Sequence, residues 1–247
     1  MARKQDIDSI LKNWTFEPGE VAARIVRGSD GRDVLQMRIE MGIIQLEVAG
    51  RPDGERPGGA ETYYDFLVGL AINVGDDFVL SDEQCAEADR EFVQFYQRRL
   101  CWLALREFGH AVTDADHTLA FMDFSRDHSP NDEWTEAHEQ YRPFVLFQRT
   151  QAAALQALEE HGPDRAIEEI NAGLLKMKDA YTQFDHDEPF EEDELVERLM
   201  ELRESLRQHF SLEPSLDEQL AAAVASEQYE LAARLRDEIA KRKHSKA

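Results

Sequence analysis

Three side chains of this sequence have metal-ligand spacing. His110, Asp114 and His117 stand at i, i+4 and i+7, one face of a helix, and imidazole with carboxylate suits a divalent transition metal. The same positions fall on the polar surface of a helix, where such residues are common, so no metal is assigned. Asp123, Asp127, His128 and Asp132 add acid nearby without the order of a calcium loop. Cys85 and Cys101 form neither a disulfide framework nor a four-ligand zinc site, and nothing adjacent in sequence marks either as a nucleophile. They read as core thiols in a reduced, bacterial-type cytoplasm. Arg51 and Arg56, in a Gly/Pro-rich stretch, could meet an anion; solvated arginines of a turn-forming loop are the alternative. The carboxylates lie in solvated runs, and no phosphate-cradling Gly-x-x-x-x-Gly-Lys-Ser/Thr is present. No catalytic residue, metal or cofactor is therefore implied.

The elements that would position these groups change along the chain. Val21–Arg27 is a β-type run, and Gly28-Ser29-Asp30-Gly31 is a turn signal. Leu35, Met37, Ile39 and Met41 alternate with polar residues; after Gly42, Ile44, Leu46 and Val48 resume the alternation. Two or three antiparallel strands follow, too few to stand without a helix or a partner over their apolar face. Arg51–Gly59 is a loop by composition. From Glu61 onward the pattern is helical. Ser81-Asp82-Glu83-Gln84 is a capping box, Ser129-Pro130-Asn131-Asp132 a helix start with Pro at the first helical position, and Gly162-Pro163 a stop and restart. Ser215-Leu216-Asp217-Glu218 is a further start. Leu195, Leu199, Leu202 and Leu206 form a seam at 4-3-4 spacing behind an acidic connector. The fold class is α+β, mostly α. The divisions are a β-containing head over 1–60, a helical domain over 61–184, an acidic linker helix over 185–212 and a helical hairpin with a basic tail over 213–247.

The chain has 247 residues, with 28 Lys+Arg against 51 Asp+Glu and a net charge of −23. That balance opposes strong binding to nucleic acid or to an anionic membrane. The basic tail, Lys241 to Lys246, is too small to reverse it beside the acids of Asp185–Glu204. No run approaches a membrane span, and no apolar stretch follows the first residues as a secretory signal would require. A cytoplasmic location is expected.

Two resemblances stand on named residues. Leu103–Leu119, with Phe108 at the turn and Ala111 after it, resembles the middle of a tetratricopeptide (TPR) repeat. Ala153–Leu158 with Asp164–Leu174, Ala166 among them, gives a second match. Ala111 and Ala166 are 55 residues apart rather than the repeat's usual period of about 34. The first match has Arg106 where a turn glycine is usual, and any Ala-rich antiparallel helical hairpin meets the same pattern. The second resemblance is more specific. Tyr229-Glu230-x-Ala232-Ala233-x-Leu235-Arg236-Asp237-x-Ile239 is similar to the UVR motif, the helical hairpin of the excision-repair proteins UvrB and UvrC, of Clp chaperone-family proteins and of regulators of protein-arginine phosphorylation. Tyr229 replaces the commoner Phe. The order of modules also resembles UVR-motif proteins of the planctomycete type.

The motif implies docking. Leu216, Leu220 and Val224 fall at i, i+4 and i+8 on one helix, and Tyr229, Ala232, Ala233, Arg236 and Ile239 on one face of the next. Small residues allow close approach, and Tyr229 is expected to cover the hairpin end. Two short helices are marginal alone and gain stability on another surface. The partner-binding set is Leu216, Leu220, Tyr229, Glu230, Ala232, Ala233, Arg236, Asp237 and Ile239. The expected partner is a protein, or a second copy of this chain. Two other readings stay open: an excision-repair accessory that binds UvrB- or UvrC-like proteins, and an enzyme with a site in the head around Arg51–Gly59.

Overall fold

A computed structural model describes residues 6–183, 189–213 and 216–245. The chain divides into two compact units, Met1–Leu199 and Met200–Ala247. Helices make up 68% of it beside one small antiparallel sheet, so the class is α+β, mostly α.

The first unit opens with a short helix, α1 (Asp8–Asn13), then β1 (Ala22–Arg27), β2 (Asp33–Ile39) and β3 (Gly42–Glu47). The strands form an antiparallel meander in the order β1-β2-β3. Leu35, Met37 and Leu46 point from the sheet into a core shared with Cys101, Trp102, Phe108, Ala111 and Ala152. Helices thus cover the apolar face that three strands cannot bury by themselves. The other face is covered by the segment after α1: Arg24 stacks on Trp14 at 4.1 Å, and Arg38 donates to the Trp14 carbonyl at 2.8 Å. The alternation ends two residues earlier than its pattern suggests. Ile39 pairs with Gly42, so Met41 sits in the tight turn between them and is 87% exposed.

Helices follow: α2 (Tyr63–Val74), α3 (Asp82–Ala104), α4 (Phe108–Asp127), α5 (Asp132–Glu139), α6 (Arg142–His161) and α7 (Pro163–Gln183). The capping box at Ser81 and Gln84 forms in both directions. At α5 the cap is Asn131, whose side chain accepts the Trp134 amide at 2.9 Å; Pro130 lies ahead of the cap rather than at the first helical position. The α3/α4 turn places Arg106 at φ +60°, a left-handed conformation that glycine adopts with least cost. Its side chain is held there by an ion pair with Glu159 and lies over the Phe108 ring. Gly162 makes the α6/α7 turn at φ +94°.

Helices α3, α4, α6 and α7 pack in sequence through small residues. Ala111, Ala115, Ala152, Ala154 and Ala166 are sealed from solvent. At Gly173 an added Cβ would overlap the Thr150 side chain, so α7 approaches α6 more closely there than a residue with a Cβ would allow. The helix α8 (Glu194–Phe210) begins at Asp193, whose carboxylate accepts the Leu195 and Val196 amides at 2.7 and 3.1 Å. Of the expected seam, Leu199 and Leu206 are buried and Leu195 and Leu202 half-buried, while Val196, outside the seam, is buried as well. The acidic residues 185–188 and the expected cap at Ser215 lie outside the described residues.

Candidate partner-docking hairpin

In the second unit, α9 (Leu216–Ala225) and α10 (Tyr229–Ser245) form a helical hairpin. The turn is tight. Gln228 N–H donates to the Ala223 carbonyl at 2.8 Å, Glu227 N–H to that of Val224 at 3.0 Å, and Glu227 takes φ +56°. Glu218 on α9 is engaged by Arg207 and, at 3.7 Å, by Arg203, both from the second half of α8. Burial, then the adjacent Arg207 charge, hold the Arg203 guanidinium below its ordinary pKa.

The hairpin interior is small. Ala223, Ala232 and Leu235 are buried, with Leu216 and Leu220 packed against them. The expected faces need correction. The inward face of α9 is Leu216, Leu220 and Ala223, not Val224, which is 52% exposed. At about 100° per residue, i+7 returns to the face of i and i+4 while i+8 overshoots it, and the alanine lets the helices close. Tyr229 does not cover the hairpin end: it is 67% exposed. Ala232 is buried and Ile239 half-buried, whereas Glu230, Arg236 and Asp237 are exposed; Ala233, expected at the close helix contact, is exposed as well, so Ala232 alone of the alanine pair serves that contact. Arg236 and Asp237 pair with one another at 3.3 Å. Leu231, which the pattern did not single out, is also exposed at 40%. Leu235 was missed as an inner residue, although it stands three positions after Ala232 within the motif, a spacing that keeps it on the same helix face.

The other chemistry-bearing residues belong to the first unit. The three residues at metal-ligand spacing on α4 have separate partners. Both Asp114 oxygens are held by Arg98, at 2.6 and 2.9 Å; His117 Nε2 lies 3.1 Å from Glu91 and its ring stacks on Phe95; His110 stacks on Trp102. Asp114 is 3% exposed, so it is no surface residue. Among the described residues no group of His, Cys, Asp and Glu is placed to hold a metal ion. Cys85 and Cys101 are buried in different clusters, and burial pushes the Cys101 thiol up to about 12.

Arg51 departs from the loop reading. It is buried, in contact with Glu87 and 3.3 Å from the sealed carboxylate of Glu91. Glu91 in turn accepts the Tyr63 and Tyr64 amides at 2.6 and 3.0 Å, supplying from α3 the acceptor that the first turn of α2 lacks. A polar cavity of about 320 Å³ lies beside this loop. Among its charged walls, Arg32 pairs with Glu47 at 3.0 Å and Asp53 accepts from Gln94 of α3 at 2.8 Å. Among the described residues no helix is long and apolar enough to cross a membrane.

In comparison with known families, residues 214–243 match the family described as the UvrB/uvrC motif, UVR. The match covers the whole of α9 and nearly all of α10. The chain therefore carries a UVR motif, an interaction module of UvrB and UvrC. Comparison with curated proteins and with solved structures returned no match.

Proposed function

We propose that this chain is a non-enzymatic adaptor that docks a protein partner through the α9/α10 hairpin, with the helices α3–α7 as a TPR-like scaffold. The observation that carries the reading is the state of the motif's own residues. Ala223, Ala232 and Leu235 make the hairpin interior together with Leu216 and Leu220, and Tyr229, Val224 and Leu231 stay outside it. An aromatic residue with a polar tip is a common anchor at protein interfaces. Arg236 and Asp237 are exposed charges of the kind that select a partner and set its approach more than they hold the hairpin together. A cytoplasmic location accords with this role.

A second reading rests on the family match itself: the partner is a UvrB- or UvrC-like repair protein. One experiment tests both. The intact chain, the chain lacking residues 213–247 and a Tyr229→Ala variant are used as bait, and captured proteins are identified by mass spectrometry. The adaptor reading expects a defined partner lost from both altered baits. Repair proteins in the intact capture would establish the second reading, and identical captures from all three baits would sink the docking role.

A further inference from the structure

A cavity of about 570 Å³ opens between α3, α4, α5 and α6 in the first unit, a volume within the usual range of small-molecule sites. Phe92, Tyr96, Met122 and Phe144 give it apolar walls, and Val93 and Tyr141 stand exposed at its rim. One strongly charged group reaches it from inside the protein. Arg99, on α3, lines the cavity yet is only 1% exposed.

Among the buried arginines, Arg98, Arg142 and Arg51 pair with carboxylates whereas Arg38 and Arg99 have neutral acceptors, and of these two it is Arg99 that lines this cavity. Arg98 holds both oxygens of Asp114, Arg142 holds Glu139 at 2.8 Å, Arg51 holds Glu87 and Glu91, and Arg38 donates to backbone carbonyls. Arg99 Nε donates to Gln148 Oε1 at 2.8 Å and Nη1 to Thr118 Oγ1 at 3.0 Å. Both acceptors are neutral. Thr118 Oγ1 itself donates to the Asp114 carbonyl at 2.8 Å, which turns its lone pairs toward Arg99. The carboxylate whose field reaches Arg99 is that of Asp114, and Arg98 already occupies both its oxygens. Among the described residues, Nη2 of Arg99 donates to no protein group. Burial brings the guanidinium down to about 10, so it remains a cation at neutral pH. A buried cation with neutral partners and an apolar chamber in front of it lacks one thing, an anion.

We propose that this cavity binds an organic monocarboxylate, its apolar body between Phe92, Tyr96 and Phe144 and its carboxylate on Arg99. Guanidinium and carboxylate match in geometry, and the bond is charge-assisted in a site shielded from water. Asp89 at the mouth does not oppose this: His138 Nε2 lies 2.8 Å from its Oδ1, and Trp134 Nε1 donates to the same atom at 3.2 Å. Aromatic walls suit an aryl acid, and the volume admits a medium alkyl chain; the carboxylate is common to both.

The test titrates the full chain with 3-phenylpropionate and with octanoate, and with the alcohols 3-phenylpropanol and octanol as neutral counterparts, by calorimetry and thermal shift. At least one acid should bind and raise Tm, and its alcohol should bind at least about tenfold more weakly, the loss expected for a buried charge-assisted bond. Arg99→Met should remove the preference for the acid. Ala137→Trp, at an exposed rim position, should block the cavity and abolish acid binding while the protein stays folded. It keeps the test decisive if Arg99→Met does not fold. No binding of either acid, equal binding of acid and alcohol, or acid binding that survives Ala137→Trp would overturn the proposal.

Discussion

Arg51 Nε lies 3.3 Å from a carboxylate oxygen of Glu91, and neither side chain reaches solvent. The pair ties the loop after β3 to the middle of α3, and through the Tyr63 and Tyr64 amides the same carboxylate fixes the start of α2. Breaking one side of a buried ion pair costs about 3–5 kcal/mol, because the remaining charge stays buried and unpaired. Arg51→Met should therefore destabilise the protein by about 3 kcal/mol in urea unfolding. Glu91→Gln should cost at least as much, since the α2 amides lose a charged acceptor. The double variant should fall short of the sum by about 0.5–3 kcal/mol, the signature of contacting residues. An Arg51→Met variant within about 0.5 kcal/mol of the parent, as at a plain surface site, would restore the solvated-loop reading.

Ala111 and Ala166 are both fully buried on helices of the α3–α7 layer. Phe at either position should overpack its contact and cost about 1–3 kcal/mol. Gly173→Ala should be costly as well, because its Cβ meets Thr150 on α6. Melting temperatures of Ala111→Phe and Ala166→Phe check this; if neither moves, close helix contact through small residues is not what holds the scaffold, and the TPR-like proposal goes with it.

What the sequence made legible was local. Capping at Ser81, the restart at Gly162-Pro163 and the turn at Arg106 depend on a few neighbouring residues, and each stands where its signal lies. The hairpin motif is local too, but its periodicity could not separate Ala223 from Val224, since hydrophobicity favours the valine while helix–helix approach favours the alanine. Arg51 was not legible at all: its partner Glu87 is 36 residues on, and no pattern within a loop announces a carboxylate on a distant helix. Asp114 was misplaced on the surface for the same reason, its counter-ion Arg98 lying on the facing helix.

Cys101 gives a pH-dependent prediction. Burial, chiefly, raises its thiol from 9.0 to about 12 in the folded protein. Between those values the folded state keeps a proton that the unfolded state has released. The thiol's contribution is therefore fully present below pH 9 and is lost as pH rises toward 12. The stability advantage of the parent over Cys101→Ala should be constant from pH 6 to 8 and shrink steadily above pH 9, measured by urea unfolding at each pH. A constant difference across the alkaline range would mean the thiol titrates alike in both states.

Arg236 carries the functional claim. Its side chain and that of Asp237 are 72% and 65% exposed, and their mutual contact at 3.3 Å joins adjacent residues, which does little for the fold. Tyr229 is likewise largely outside the hairpin interior. Neither residue is needed to bury Ala223, Ala232 or Leu235. Arg236→Glu should therefore leave the melting temperature within about a degree of the parent, as expected of a surface change worth at most about 0.5 kcal/mol, while weakening capture of the hairpin's partner. Tyr229→Ala should do the same by removing an apolar anchor instead of a charge. The two are compared by differential scanning calorimetry for the fold and by surface plasmon resonance against the captured partner for association. If Arg236→Glu unfolds the protein while association survives in whatever remains folded, the hairpin is a structural element of this chain and the adaptor reading fails.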